Sequence, residues 1–222
     1  MMDLPELFAV ERLVSGLVHD LNNALAGIVG YAQLARDEDD AARRQRYLDV
    51  VVSQAEHIRS VVTDLELATC SRPVMGSVIT ARDIVDAAIM SFAGRAPGVS
   101  VAVSLPHRPV QFEGELDVLA RAVGKLLDNA VIATPKNSLP SIEIVAGDQP
   151  APFIDVIDHG VGMAPELAAI ALDPTVTTRR TGNGIGLGLA AARTIMHRHG
   201  GTVTIASQPG ETRVRLQFPA PA

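Results

Sequence analysis

The sequence predicts an α+β protein in two parts. An N-terminal two-helix hairpin pairs with a second copy into a dimeric four-helix bundle, and an α/β sandwich on a mixed sheet follows. Three observations carry this. Apolar residues in the first third recur at spacings of three and four, with Pro5 the only proline before Pro73. Ser71-Arg72-Pro73 then marks a boundary, which divides the chain into residues 1–70 and 71–222. Beyond it, short Val- and Ile-rich runs alternate irregularly with helical stretches, as in a mixed sheet.

The elements follow in order. Asp3 and Glu6 form a capping-box-like pair around Pro5, which suits a first helical turn. The helix runs from Leu4 to about Arg36, with Leu13, Leu17, Leu21, Ile28 and Leu34 near one face. Asp37-Glu38-Asp39-Asp40 interrupts the pattern. A second helix spans about Ala41 to Thr69, with Tyr47, Val51, Ile58, Val61, Val62, Leu65 and Ala68 as its stripe. Such a hairpin leaves half its stripe uncovered, and a second copy covers it. In the second part, helices are expected at Ala81–Ala93, Glu115–Thr134 and Gly184–His199, the last stopped by Gly200-Gly201. Strands are expected at Val99–Leu105, Val110–Phe112, Ile142–Ala146 and Phe153–Ile157. Residues 158–183 read as loop with one helical turn at Glu166–Ala171, and a hairpin around Pro209-Gly210 joins Val203–Ala206 to Thr212–Phe218.

Composition excludes several functions. Net charge is −6, so no basic surface for nucleic acid is expected. Aromatics make up 3% and Trp is absent, which argues against a base-stacking platform. Cys70 stands alone, so neither a disulfide framework nor a Cys-rich zinc site can form within the chain, and a reducing, cytoplasmic setting is expected. No apolar run reaches membrane-spanning length and the first residues carry no basic leader, so neither membrane insertion nor a signal peptide is expected.

Four constellations carry chemistry. In His19-Asp20-Leu21-Asn22-Asn23, His19 and Asn23 share a helix face. A neutral histidine is a usable nucleophile, an adjacent carboxylate can fix its tautomer or take its proton, and an amide one turn on can hold a phosphoryl oxygen or a water. Alone, the same residues read more readily as polar positions on a coiled-coil helix. Asn129, in Leu126-Leu127-Asp128-Asn129-Ala130, offers an oxygen ligand to a Mg²⁺ otherwise bound by phosphates and water, or is simply a polar-face residue. Asp158-His159-Gly160-Val161-Gly162 follows an apolar strand. There a carboxylate can accept from an exocyclic amine such as that of adenine, and the glycines permit a sharp turn and close approach. An ordinary turn fits as well. Gly182, Gly184, Gly186 and Gly188 alternate at a helix start, exposing N–H groups to a phosphate chain. The preceding Val176–Thr181 is not the apolar strand of a dinucleotide fingerprint, and the Gly-Lys-Ser/Thr of a P-loop is absent. A flexible loop is the remaining alternative.

Taken in order, these four sites resemble the sensor histidine kinases of two-component signalling, from about Glu11 to Phe218. Gly16 to Asn23 is similar to the phosphoacceptor box, Leu126 to Ala130 to the N box, and Asp158 to Gly162 and Gly182 to Leu189 to the two glycine boxes. The resemblance implies a Bergerat-type ATP-binding domain after the hairpin. It implies His19 as phosphoacceptor, Asp20 as its general base or tautomer holder, and Asn23 as a residue for phosphoryl transfer or phosphatase activity. It implies Asn129 on Mg²⁺, Asp158 on the adenine amine, and Gly160, Gly162, Gly182, Gly184, Gly186, Leu187 and Gly188 shaping the ATP site and its lid. Arg179 stands where a basic lid residue meets the γ-phosphate. The other histidines (His57, His107, His197 and His199) are expected to be structural or solvent-facing. Implied partners are a second copy, the receiver domain of a response regulator, and a separate sensor protein, since about ten residues ahead of the phosphoacceptor region are too few for a sensor domain. There are departures. Lys125 replaces a second polar metal-side residue, Ala24 replaces a proline, and Leu172 to Val176 stands where lid phenylalanines are usual. They leave a rival reading, a histidine phosphotransferase or pseudokinase scaffold that relays phosphate through His19. A further rival, an ATPase or serine kinase of another Bergerat class, would not need the His19-Asp20-Asn23 group.

Overall fold

The computed structural model describes residues 4–69, 76–173 and 187–220, and the chain divides into two compact units. The first is a hairpin of α1 (Leu4–Asp37) and α2 (Ala41–Thr69). The acidic run that interrupts the apolar pattern is a helix cap. Asp40 accepts the Arg43 N–H on Oδ1 at 2.8 Å, and its carbonyl accepts the Arg44 N–H at 2.9 Å. These bonds satisfy donors that a helix start otherwise leaves orphaned. The Arg44 guanidinium reaches back to the Glu38 carbonyl at 2.6 and 3.0 Å, which closes the turn.

The seam between α1 and α2 is thin. Its buried apolar residues, among the described side chains, are Ala24, Ala35 and Val61, with Asp20 beside them. The Tyr31 and Tyr47 rings meet 6.0 Å apart nearer the turn. Part of the predicted stripe faces outward instead: Leu34, Val62 and Leu65 are 51, 43 and 37% exposed. Val14, Val18, Leu25 and Val29 on α1 and Leu48 and Val52 on α2 join them. Two helices can cover only one side of each other, so the uncovered half stripe that the spacing implies is present.

The second unit begins with β1 (Ser77–Thr80), which runs directly into α3 (Ala81–Ala93). The sequence reading missed β1, because four residues leading into a helix show no alternation of their own. Thr80 is both the strand's end and the helix's cap: its hydroxyl accepts the Asp83 N–H at 3.2 Å, and Asp83 accepts the Thr80 N–H at 2.8 Å. There follow β2 (Val101–Ser104), β3 (Gln111–Gly114), α4 (Leu116–Ala133), β4 (Ile142–Gly147), β5 (Phe153–Asp158), α5 (Pro165–Ile170), α6 (Leu187–Arg198), β6 (Thr202–Gln208) and β7 (Glu211–Gln217). β1 and β3 form a two-stranded antiparallel sheet. The main sheet has the order β2-β4-β5-β7-β6, with β2 parallel to β4 and the other pairs antiparallel, the mixed sheet that the irregular alternation predicts.

Its core is mainly aliphatic, with a few phenylalanines. Ile84, Val85 and Phe92 of α3, Leu119, Val123 and Leu127 of α4, and Ile195 and Met196 of α6 are fully buried, as are Ile144, Ile154 and Leu216 of the strands. The glycine stop after α6 is real: Gly200 has φ +71° and the Gly201 N–H bonds the Met196 carbonyl at 2.8 Å.

β5 is buried on both faces, and its other face holds a charge. Asp155, wholly inaccessible, sits opposite Arg215 in the ladder. It accepts two bonds from Arg215, at 2.7 and 2.8 Å, and one from Arg213 at 3.0 Å. The Arg215 guanidinium also lies 4.0 Å over the Phe153 ring. Removing one partner of a buried ion pair costs more than the pair itself contributes. Arg215→Ala is therefore expected to destabilise this unit by about 2–3 kcal/mol, the low end of that range because Arg215 keeps some solvent. Denaturant melts check it: the midpoint should fall while the slope is unchanged.

Candidate functional site

In the hairpin, His19 faces solvent on the middle of α1. Its Nδ1 lies 3.1 Å from Asn23 Nδ2, the one-turn spacing that the sequence suggests. A half-turn of the Asn23 amide presents Oδ1 instead, which accepts Nδ1–H and leaves Nε2 as a bare lone pair. Asp20 does not share this arrangement. Neighbouring helix positions diverge by about 100°, so Asp20 turns into the seam, where it is 5% exposed. Its Oδ2 meets His57 Nε2 of α2 at 2.8 Å. The structure thus brings His19 and Asn23 together and gives Asp20 to His57, a histidine the sequence marks only as structural or solvent-facing. Folding the chain about its acidic link puts residue 57 opposite residue 20, and that signal was available.

In the second unit, Asp158 ends β5 and is 8% exposed. Its Oδ1 accepts the Gly160 N–H at 3.0 Å. Burial pushes its carboxyl above the ordinary carboxylate range, partly offset by the Gly160 hydrogen bond and the neighbouring His159. Oδ2 takes no hydrogen bond from the described residues. The following loop is fixed at both sides. Val161 N–H bonds the Ala133 carbonyl at the end of α4 at 2.9 Å, and Met163 N–H bonds Ser207 Oγ of β6 at 2.8 Å. Gly160 packs so closely on Ala133 that a Cβ would come within 2.5 Å of its carbonyl oxygen.

Asn129 lies half-buried on α4, and Lys125 lies one turn earlier on the same side. Gly188 in the first turn of α6 faces Asn129, since a Cβ there would lie 3.4 Å from its amide nitrogen. Asp128 points elsewhere, to Arg95 in the turn after α3 at 3.2 Å. His199 is structural: its Nδ1 donates to the Ile195 carbonyl at 2.8 Å and its Nε2 accepts the Glu115 N–H at 3.3 Å. That bond serves an α4 start whose cap residue, Glu115, makes no side-chain capping bond. Arg179, Gly182, Gly184 and Gly186 lie outside the described residues, and so does Cys70; of Leu187 only its place as the first residue of α6 is described.

The arrangement offers a solvent-facing histidine on one unit. On the other it offers a buried carboxylate with one free oxygen, and a half-buried amide facing a glycine at a helix start. Among the described residues no group of three His, Cys, Asp or Glu could hold a metal ion, so a cation here would rest mainly on a ligand's own oxygens with Asn129 as protein donor.

Two family models match. "His Kinase A (phospho-acceptor) domain" covers residues 9–70, and "Histidine kinase-, DNA gyrase B-, and HSP90-like ATPase" covers residues 114–222. A probable sensor histidine kinase, TcrY of Mycobacterium tuberculosis, is 31% identical over 95% of this chain and 46% of its own length. The sensory histidine kinase/phosphatase NtrB of Rhizobium meliloti is 31% identical over 96% of this chain and 59% of its own. The chain therefore spans about half the length of these relatives. In fold it is similar to the histidine kinase ThkA solved in complex with the response regulator protein TrrA, with TM-score 0.74, 17% identity, and 97% of this chain and 63% of that one covered. The histidine kinase AdeS of Acinetobacter baumannii aligns with TM-score 0.69 and 17% identity over 92% of this chain and 98% of that one.

Proposed function

The chain belongs to the histidine kinases of two-component signalling, as their transmitter core, and from that premise we propose that it moves the γ-phosphoryl group of ATP to His19. From there the group passes to an aspartate in the receiver domain of a separate response regulator. Residues 1–70 act as the phosphoacceptor hairpin and residues 71–222 as the ATP-binding domain. One observation carries the reading: His19 stands in solvent with Nδ1 engaged by Asn23 at 3.1 Å, so Nε2 is the nitrogen left open to a phosphoryl donor.

With Asn23 accepting Nδ1–H, His19 Nε2 attacks the γ-phosphorus. The P–N bond forms as the P–O bond to ADP breaks, and the electron pair leaves with ADP. As the P–N bond forms, the Nδ1 proton passes to a base, so the phosphorylated ring ends neutral. Asp158 accepts the adenine amine on its free oxygen. Gly160 and Gly162 bring the backbone against the ring, while Gly182, Gly184, Gly186 and Gly188 leave the start of α6 open to the phosphates, with Arg179 near the γ-phosphate. A bound Mg²⁺, held by Asn129 and phosphate oxygens, supplies neutralisation of charge on the transferring group. The half-exposed stripe of Val14, Val18, Leu25, Val29, Leu48 and Val52 supports homodimerisation. Dependence on ATP places the reaction on the cytoplasmic side, with input from a separate sensor protein or an attached segment.

A relay or scaffold is the second reading. Lys125 favours it, since an ammonium group beside Asn129 gives no lone pair to a metal. Incubation with Mg²⁺ and γ-labelled ATP, beside His19→Ala, separates the two. The expected result is acid-labile, base-stable label on wild type and none on the variant. Unlabelled wild-type dimer would demote the chain to the relay.

A further inference from the structure

Among the described side chains Asp20 is the one buried carboxylate of the hairpin, and its partner is a histidine of the other helix. One turn along α1 from Asp20 is buried Ala24, and one turn along α2 from His57 is buried Val61, neither of which can solvate a charge. The Asp20 side chain is 7% exposed, that of His57 is 37% exposed, and the contact is 2.8 Å. His19, one residue away and about 100° round the helix, faces solvent with Asn23.

Phosphorylation at Nε2 makes the His19 ring a cation, and Nδ1 must give up its proton. The Asn23 oxygen can accept a hydrogen bond but cannot take that proton. Among the adjacent side chains Asp20 is the base that can, and it must first leave His57. We propose that His57 is a positioning residue that withholds the Asp20 carboxylate from His19, so that His19 gains its proton acceptor only when the Asp20–His57 bond opens. When it opens, the carboxylate turns out of the seam and takes the Nδ1 proton as the P–N bond forms, then releases it to water. His57 is exposed enough for the bond to break without unfolding the hairpin. This rests on the reading of His19 as phosphoacceptor.

The full chain tests it through two variants with opposite expectations. His57→Leu leaves Asp20 buried and unpartnered, so the carboxylate is driven outward. The single-turnover rate of His19 labelling from γ-labelled ATP should rise several-fold, with the KM for ATP unchanged. His57→Lys places a permanent cation on the carboxylate and should lower that rate several-fold, again with KM unchanged. The gain in His57→Leu should vanish when Asp20→Asn is added, because the effect runs through that carboxylate. Ring ¹⁵N shifts provide a readout independent of labelling: in His57→Leu the His19 Nδ1 should move toward the proton-bearing value. A folded His57→Leu with an unchanged or lower rate and an unmoved Nδ1 shift overturns the proposal. If that variant does not fold, His57→Lys decides: a rate at or above wild type overturns it, and a lowered rate supports it. Absence of label on wild type would sink the kinase reading, and the ¹⁵N shifts would still decide the role of His57.

Discussion

Asp158→Asn should abolish useful ATP binding while leaving its unit at least as stable as before at neutral pH. The two effects separate because Asp158 is held for a ligand. Asn keeps an oxygen for the Gly160 N–H, but presents an amide donor where the adenine amine also donates. A hydrogen bond to a charged group is lost, worth about 1.5–3 kcal/mol, and a donor is left facing a donor. The expected loss is on the order of 100-fold in affinity or more, read by displacement of a fluorescent ATP analogue. The stability effect follows from the raised carboxyl pKa. A carboxyl whose folded pKa is raised is held more easily as the neutral acid. Below its ordinary value, near 3.8, the folded state bears no penalty. As pH climbs through the raised value the buried group ionises, and stability falls by a fixed amount that persists above it. Asn has no such step. Melting of wild type and variant across pH should show the variant gaining on wild type as pH rises. Wild-type ATP affinity should move the other way, falling on acidification as the acceptor is protonated. A variant that loses stability and affinity together would mean that Asp158 holds the fold rather than the nucleotide.

Gly162→Ala should be the most damaging small substitution in the loop after β5. Gly162 has φ +72°, a conformation that costs an L-residue roughly 1–2 kcal/mol. A Cβ there would also run into the Gln208 carbonyl and come within 3.2 Å of Pro209 Cα. Both obstacles are backbone, so neither can step aside. The loop must move, and the Met163–Ser207 bond goes with it. The total is expected at about 3 kcal/mol or more by denaturant unfolding, together with weakened nucleotide binding. Gly210→Ala is the control. It shares a positive φ, +89°, but has nothing within 4 Å of the new carbon. It should cost only the backbone preference, about 1 kcal/mol, and leave ATP binding unchanged. Equal losses at the two positions would show that conformation rather than collision sets the effect.

Much of this molecule was legible because its signals are local. Asp40 marks the start of α2 by its own side chain, and Gly200 and Gly201 stop α6 by a bond one turn back. The start of α2 and the end of α6 fall within a residue of where the sequence puts them, while the expected start of α6 at Gly184 lies outside the described residues. Asp158 stood out because it falls where an apolar strand meets two glycines. What was hidden depends on partners far along the chain. Asp155 sits inside a strand that reads as apolar, and the arginines that hold it are 58 and 60 residues on. Asp20 reads as a companion of its neighbour His19, yet the hairpin sends it across to His57. In each case sequence places the charge, and only tertiary pairing decides what it meets. β1 was lost differently: its last residue already belongs to the helix cap, so no strand pattern had room to develop.

The thin seam of the hairpin has a consequence for what its stability means. A unit whose described side chains bury little more than two alanines and a valine along its own interface draws further apolar burial from whatever covers its outer stripe. If that cover is another copy, folding and encounter are one equilibrium, and dilution acts as a denaturant. The sheet unit, with its closed aliphatic core, is indifferent to dilution. One polypeptide then carries a part whose integrity reports how many copies surround it and a part whose integrity does not.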